Sequence, residues 1–440
     1  MNINDFSELM ITLNLGAEQL NSLSKETDFF SRFRLVKPLD ILYALCTEST
    51  GGAASCNDIA AKIEAGSGES VSRQAIWKKM SEQAVMYFKR VLEHVILTKI
   101  NGTEIEEMKL LGHYKRLLVQ DSTVIYLPSK LFKLFSGVSN GHSQVCNARI
   151  QGVYDLLSGC FVSFSIDSYS KNDFVAASEL CLEKHDLTLR DRGYYLVDEI
   201  KRHLDNGADC IYRYKNNVTL LDPTTHAQLN LLEMLLANNN LDTYVALNNS
   251  EHTIVRIVAA PVGEQIANLR RMKAKKEMKN IPSEIYLKLL SWSIYVTTIP
   301  KEVADYSWIM KTYALRWRIE IIFKCWKSNM AFSKIHNVSK TQLHIILCAR
   351  FIMITICIQT VFHPCKRYIQ KHFSKHVSIL KLTRYLMKNM AKIVELVSFL
   401  YKKINDSCPK IMSSIARYCT YCKRKRLNFE REWELLMTLS

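Results

Sequence analysis

Three carboxylates stand out by their settings. Asp121 interrupts a β-type run, with Leu117, Leu118 and Val119 before it and Thr123 to Tyr126 after it, where an unpaired carboxylate would be costly to bury. Asp191 ends a strand expected at Leu187 to Arg190, just before Gly193, and the carboxyl ends of strands are where α/β sheets place ligands. Glu320 lies in a helical segment running from Tyr313 through Lys327. Hard carboxylate oxygens on rigid elements are what two Mg²⁺ ions about 3.5–4 Å apart require, one ion activating an attacking oxygen and the other stabilising a leaving one. Asp121, Asp191 and Glu320 are therefore the candidate catalytic residues and the candidate ligands of two Mg²⁺ ions, with Mn²⁺ as an alternative.

The neighbours of Glu320 add to this reading. At roughly 100° per residue, Tyr313, Arg316, Glu320 and Lys327 are expected within roughly 60° of one another on one face, with Leu315, Ile319, Ile322 and Trp326 supplying the buried stripe. Arg316 and Glu320 taken alone read equally as an exposed i,i+4 pair worth a few tenths of a kcal/mol. With the two aspartates added, Arg316 and Lys327 become candidate phosphate clamps, and Tyr313 and Trp317 candidate platforms for displaced bases. Trp317 falls at the border of the polar face, so packing is its alternative role.

At these residues the chain resembles a known family. Tyr313-x2-Arg316-x3-Glu320-x6-Lys327 is similar to the Tyr-Arg-Glu-Lys signature of bacterial insertion-sequence transposases of the IS-four family, with Trp317 also in place. Asp121-Ser-Thr resembles the family's first catalytic Asp segment and Asp191-Arg-Gly-Tyr its second. Trp292, in Ser-Trp-Ser-Ile-Tyr-Val-Thr-Thr, resembles a family tryptophan near the displaced base. The resemblance spans about Leu35 to Val338. It implies cut-and-paste transposition: nicking at the element end, a DNA hairpin, hairpin opening and strand transfer. The partners it implies are double-stranded DNA, as terminal inverted repeats and target, and a second copy of the chain on paired ends. Two rivals stand beside it. A structure-specific nuclease or resolvase is disfavoured by the signature, and an inactive end-binding protein by the presence of all three acids.

The expected elements can carry such a site. Three antiparallel strands, followed by alternating helices and strands to Tyr214, have the element order of an RNase H-like core, a mixed sheet flanked by helices. The regions expected are a helical DNA-binding part over 1–110, the first part of the core over 111–215, a β-rich insertion over 216–300, the Glu-bearing helix of the core over 301–338, and a basic helical region over 339–440. A helix near Pro38, a second from Cys56 and a basic third from about Ser70 fit either a helix-turn-helix module or a plain bundle. One long helix is expected from about Asp305 to Lys327.

Charge points to the same class of partner. A formal net charge of +17 calls for a polyanion, and residues 341–440 hold 18 Lys/Arg against 5 Asp/Glu, including Lys423 to Arg426. Thirteen cysteines without framework spacing indicate reduced thiols, and Cys419-x-x-Cys422 lacks a second ligand pair for zinc. The apolar stretch His344 to Phe362 is interrupted by Arg350 and reads as a buried helix rather than a membrane span. A bacterial cytoplasmic, nucleoid-associated location follows as the expectation.

Overall fold

The computed structural model describes residues 1–32, 35–52, 54–98, 112–137, 145–216, 218–278, 280–389, 391–402, 409–422 and 429–437. The basic run Lys423 to Arg426 lies outside them. Among the described residues the chain is mixed α/β, with nine strands: β1 Arg116–Tyr126, β2 Asn147–Asp155, β3 Cys160–Ser168, β4 Asp186–Arg190, β5 Asp209–Arg213, β6 Leu220–Leu221, β7 Leu241–Leu247, β8 Ile254–Pro261 and β9 Trp292–Thr297. The chain forms two compact units. One comprises Met1–Glu106, Ser122–Lys171 and Ile319–Asn428; the other comprises Glu107–Asp121, Asn172–Arg318 and Phe429–Ser440.

In the first unit the strand order is β3-β2-β1, and β2 and β3 pair antiparallel as expected from the sequence. The tight turn between them depends on Gly159, which adopts φ +69 and lies so near the His363 ring that a Cβ would overlap it. The Gly159 carbonyl accepts from Tyr154 Oη at 2.7 Å and faces His363 Nε2 at 2.6 Å. An aromatic core backs these strands, with Phe161 stacked on Phe164 and Phe164 on Phe351, and with Trp326 tilted against Phe161. Phe351 lies on the helix Lys340–Ile356, which is buried along nearly its whole length. Arg350 is tolerated there because its guanidinium donates to the carbonyls of Ser49, Gly52, Phe332 and Lys334. Lys340–Phe373 is long and apolar enough to cross a membrane, but its apolar window is wholly buried inside the protein, as expected for a core helix.

The N-terminal helices follow their caps. Ser55 accepts from Asp58 N at the start of Cys56–Ser67, and Ser72 from Ala75 N at the start of Arg73–Lys79. Gly68, at φ +77, closes the first of these two helices. Trp77, Arg73 and Lys78 are exposed on the second, whereas Lys79 is turned inward onto the Phe29 carbonyl and the Phe30 ring.

In the second unit the order is β1-β4-β5-β9-β8-β7-β6. β1, β4 and β5 run parallel, and the remaining pairs are antiparallel. The strands of 216–300 thus continue this order, β9 pairing directly with β5. Three helices, Leu231–Ala237, Glu264–Glu277 and Glu284–Leu289, accompany them, so the segment is less purely β than its sequence suggests. An apolar cluster including Ile200, Tyr212, Val245, Ile257 and Val296 forms the core here.

Candidate active site

Register decides where the aspartates sit. β1 and β4 pair in parallel up to Gln120 opposite Arg190, so Asp121, midway along β1, and Asp191, just past the end of β4, are the next residues of two adjacent strands. Residues Leu117 to Gln120 are all buried, as a strand flanked on both sides requires. Asp191 then caps the short turn Arg192–Tyr194, with Tyr194 N donating to its carbonyl.

The end of β4 is held by a buried polar network. Arg190 is fully buried; its Nη1 donates to Glu199 Oε2 at 2.9 Å and Tyr212 Oη at 3.0 Å, and its Nη2 to the Ala177 carbonyl. Arg202 also grips Glu199 through two 2.9 Å contacts. Burial pushes the Glu199 carboxyl up, but Arg202 and Arg190 outweigh it and hold the group below the ordinary glutamate value. Burial, reinforced by the Arg190 charge, drives His203 down to about 3, so the imidazole is neutral between Thr188 Oγ1 and the Glu199 carbonyl. The sequence carries no local sign of this network, because Arg190 gathers partners from three other elements, 9, 13 and 22 positions away.

The long helix expected over Asp305 to Lys327 is two helices, Tyr306–Ala314 and Trp317–Asn329. Asp305 caps the first by accepting from Trp308 N at 2.7 Å. Between them, Leu315 N bonds to Thr312 O, Arg316 N to Tyr313 O and Arg318 N to Leu315 O. These three-residue closures tighten the turn and shift the helical phase. Tyr313 is therefore not on the helix that carries Glu320 and Lys327. Tyr313 is buried, its ring tilted on Tyr295 and its hydroxyl donating to the Arg190 carbonyl at 3.3 Å. Burial pushes its phenol far above the usual range, so it remains a donor. In this arrangement Tyr313 supports the Asp191 end of β4 and presents no face to a base.

Arg316, in the gap between the helices, places Nη1 3.0 Å from Asp121 Oδ2, with both side chains largely shielded from solvent. Next to it Trp317 is 59% exposed. Arg318 turns inward to a buried ion pair with Glu430 of the C-terminal helix Phe429–Met437, at 3.3 Å, and stacks over Phe429. Trp292, at the start of β9, is half-buried, and its Nε1 finds no acceptor among the described residues.

In the other unit, Glu320 occupies the first turn of Trp317–Asn329 and is partly buried. Lys327, two turns on, donates to the Val124 carbonyl at 2.8 Å, and its burial lowers its pKa. Among the described residues no group of three or more His, Cys, Asp or Glu side chains is gathered to hold a metal ion. Cys422 lies beside Lys381 Nζ at 3.2 Å, and the described cysteines are free thiols.

Residues 113–356, more than half of the chain, match the family described as the transposase DDE domain. The chain belongs to that family. Relatives from two bacterial sources are similar to it along most of its length. The transposase for insertion sequence element IS231B of Bacillus thuringiensis subsp. berliner is 27% identical over 403 residues, which cover 85% of this chain and 82% of the relative. The transposase for insertion sequence element IS1151 of Clostridium perfringens is 24% identical over 402 residues, 85% of this chain and 84% of the relative. A solved piggyBac transposase synaptic complex with hairpin DNA is a distant likeness, at TM-score 0.40 and 9% identity over 94% of this chain and 84% of that one. The resemblance to insertion-sequence transposases drawn from the Tyr313 to Lys327 spacing is thus borne out by kinship over most of the chain.

Proposed function

We propose that this chain is the transposase of an insertion sequence, cutting and joining DNA at the element's inverted repeats through Asp121, Asp191 and Glu320. The observation that carries this reading is the register that sets Asp121, within β1, beside Asp191, just past the end of the parallel β4, in a chain of the transposase DDE family. The strand orders β3-β2-β1 and β1-β4-β5 support an RNase H-like core. Glu320, four positions after Arg316, is the third acid.

The donor set suits a hard divalent cation. Asp121 already faces a cation, the Arg316 guanidinium, and carboxylate oxygens are the ligands Mg²⁺ or Mn²⁺ prefers. When bound, two such ions supply activation of the attacking oxygen and stabilisation of the leaving one. The residues of the chain do the rest. Asp121, Asp191 and Glu320 hold the metal pair, Arg316 and Lys327 neutralise phosphates, and Tyr313 and Arg190 fix the strand end that bears Asp191. A homodimer on paired ends, working on nucleoid DNA in the bacterial cytoplasm, completes the proposal.

Trp317 supplies the test of pathway. Its exposure beside Arg316 suits it to receive a base held out of the stack while the strand bends into a hairpin, and such stacking is worth about 1–3 kcal/mol per base. In a time course on a labelled transposon end with Mg²⁺, the unaltered chain is expected to nick, then form a hairpin, then open it. Trp317→Ala should slow the hairpin step roughly tenfold more than the first nick, as stacking energies of that size require. Equal slowing of both steps would remove the stacking role, and no nicking by the unaltered chain on its own element's ends would overturn the function.

A further inference from the structure

Resting on this reading of the site, we propose that Arg316 is an exchangeable counter-ion that couples metal loading to DNA: it blocks Asp121 until a phosphate takes the guanidinium away. The geometry gives Arg316 two competing attractions. Its Nη1 lies 3.0 Å from Asp121 Oδ2, so the oxygen that a divalent cation needs already carries a charge-assisted hydrogen bond. A guanidinium binds phosphate with the same fork it uses for carboxylate, so a DNA backbone arriving beside Asp121 and Asp191 offers it an equivalent partner.

The surroundings favour exchange over a fixed structural pair. Arg316 retains 12% and Asp121 18% of side-chain exposure. Arg316 also sits in the short gap between two helices rather than inside one, and its guanidinium lies 5.9 Å from the Tyr313 ring, an aromatic face beside which it can re-aim. With Asp121 neutralised by an arginine, a bare metal ion must displace a cation. With that arginine engaged by phosphate, the carboxylate is available. The coupling is reciprocal by linkage, so a metal on Asp121 also frees Arg316 for phosphate.

Mn²⁺ binding to the full chain, followed by the loss of the free-ion paramagnetic resonance signal, tests this without reference to turnover. Without DNA, Arg316→Gln is expected to bind Mn²⁺ roughly tenfold or more tightly than the unaltered chain, within the roughly 5–150-fold range usual for coupled sites. Adding a duplex of the element end should tighten Mn²⁺ binding to the unaltered chain by a similar factor and leave Arg316→Gln little changed, each corrected for the duplex alone. Arg316→Lys keeps a cation in place and should bind Mn²⁺ weakly without DNA, which separates the charge effect from any loss of folding. Equal Mn²⁺ affinity for the unaltered chain and Arg316→Gln would overturn the proposal while leaving the site intact. If Asp121→Asn in the Arg316→Gln background does not weaken Mn²⁺ binding, the metal-site reading itself falls, and the coupling with it.

Discussion

Asp121→Asn and Glu320→Gln are each expected to lower Mg²⁺-dependent cleavage of a transposon end by roughly a thousandfold or more, while end binding stays within a few fold. Each change removes one metal-binding charge at nearly constant shape. The several kcal/mol that a positioned ion supplies to a phosphoryl-transfer transition state corresponds to a loss on this scale. Binding survives because it rests on basic groups spread over a chain of net charge +17, not on the acids. The asparagine introduced by Asp121→Asn would still offer an amide oxygen to Arg316, so the surrounding turn is preserved. Electrophoretic binding and nicking measured on the same preparation separate the two effects. Cleavage retained by either variant would count against the acid concerned.

The largest expected effect on stability lies away from the acids, at Glu199. Arg190 is fully buried against Glu199, Tyr212 and the Ala177 carbonyl. Glu199→Ala leaves that guanidinium inside the protein without its carboxylate, and stranding one member of a buried pair costs about 3–5 kcal/mol. Arg202 loses the same partner but is 29% exposed and can turn to water, so the cost falls on Arg190. Glu199→Gln keeps an acceptor and should lose less. Urea unfolding of the full chain reads the difference in the transition that reports β4. A change below about 0.5 kcal/mol, the scale of an ordinary surface substitution, would show that the network does not hold this strand end.

The strands that carry Asp121 and Asp191 are legible in the sequence because period and composition speak locally. Leu117 to Val119 and Leu187 to Leu189 are runs that a doubly covered strand accommodates, and an acid follows closely on each. The Asp155 to Gly159 turn is legible for the same reason. The break at Leu315 and Arg316 is not. No Gly or Pro marks it, and the phase shift comes from tight hydrogen bonds under a buried Thr312 and Leu315, a tertiary choice that a helical periodicity passes over. That shift carries Tyr313 from an expected exposed face to a buried support of Arg190. The Arg316–Asp121 contact, 195 positions apart, and the Arg318–Glu430 pair, drawn from two distant helical segments, also lie beyond any local pattern.

On the proposed function, Asp121, Asp191 and Glu320 share one pair of metal ions. Localised oxidative cleavage probes that sharing on the protein itself: Fe²⁺ is substituted for Mg²⁺ on the full chain bound to an end duplex, peroxide and ascorbate are added, and the cut sites are mapped by mass spectrometry. Radicals formed at a bound iron cut the backbone nearby. Cuts are expected to cluster around all three of Asp121, Asp191 and Glu320, and to be suppressed by excess Mg²⁺ and by Asp121→Asn. Cuts near Asp121 and Asp191 with none near Glu320, or cuts indifferent to Asp121→Asn, would contradict a shared site.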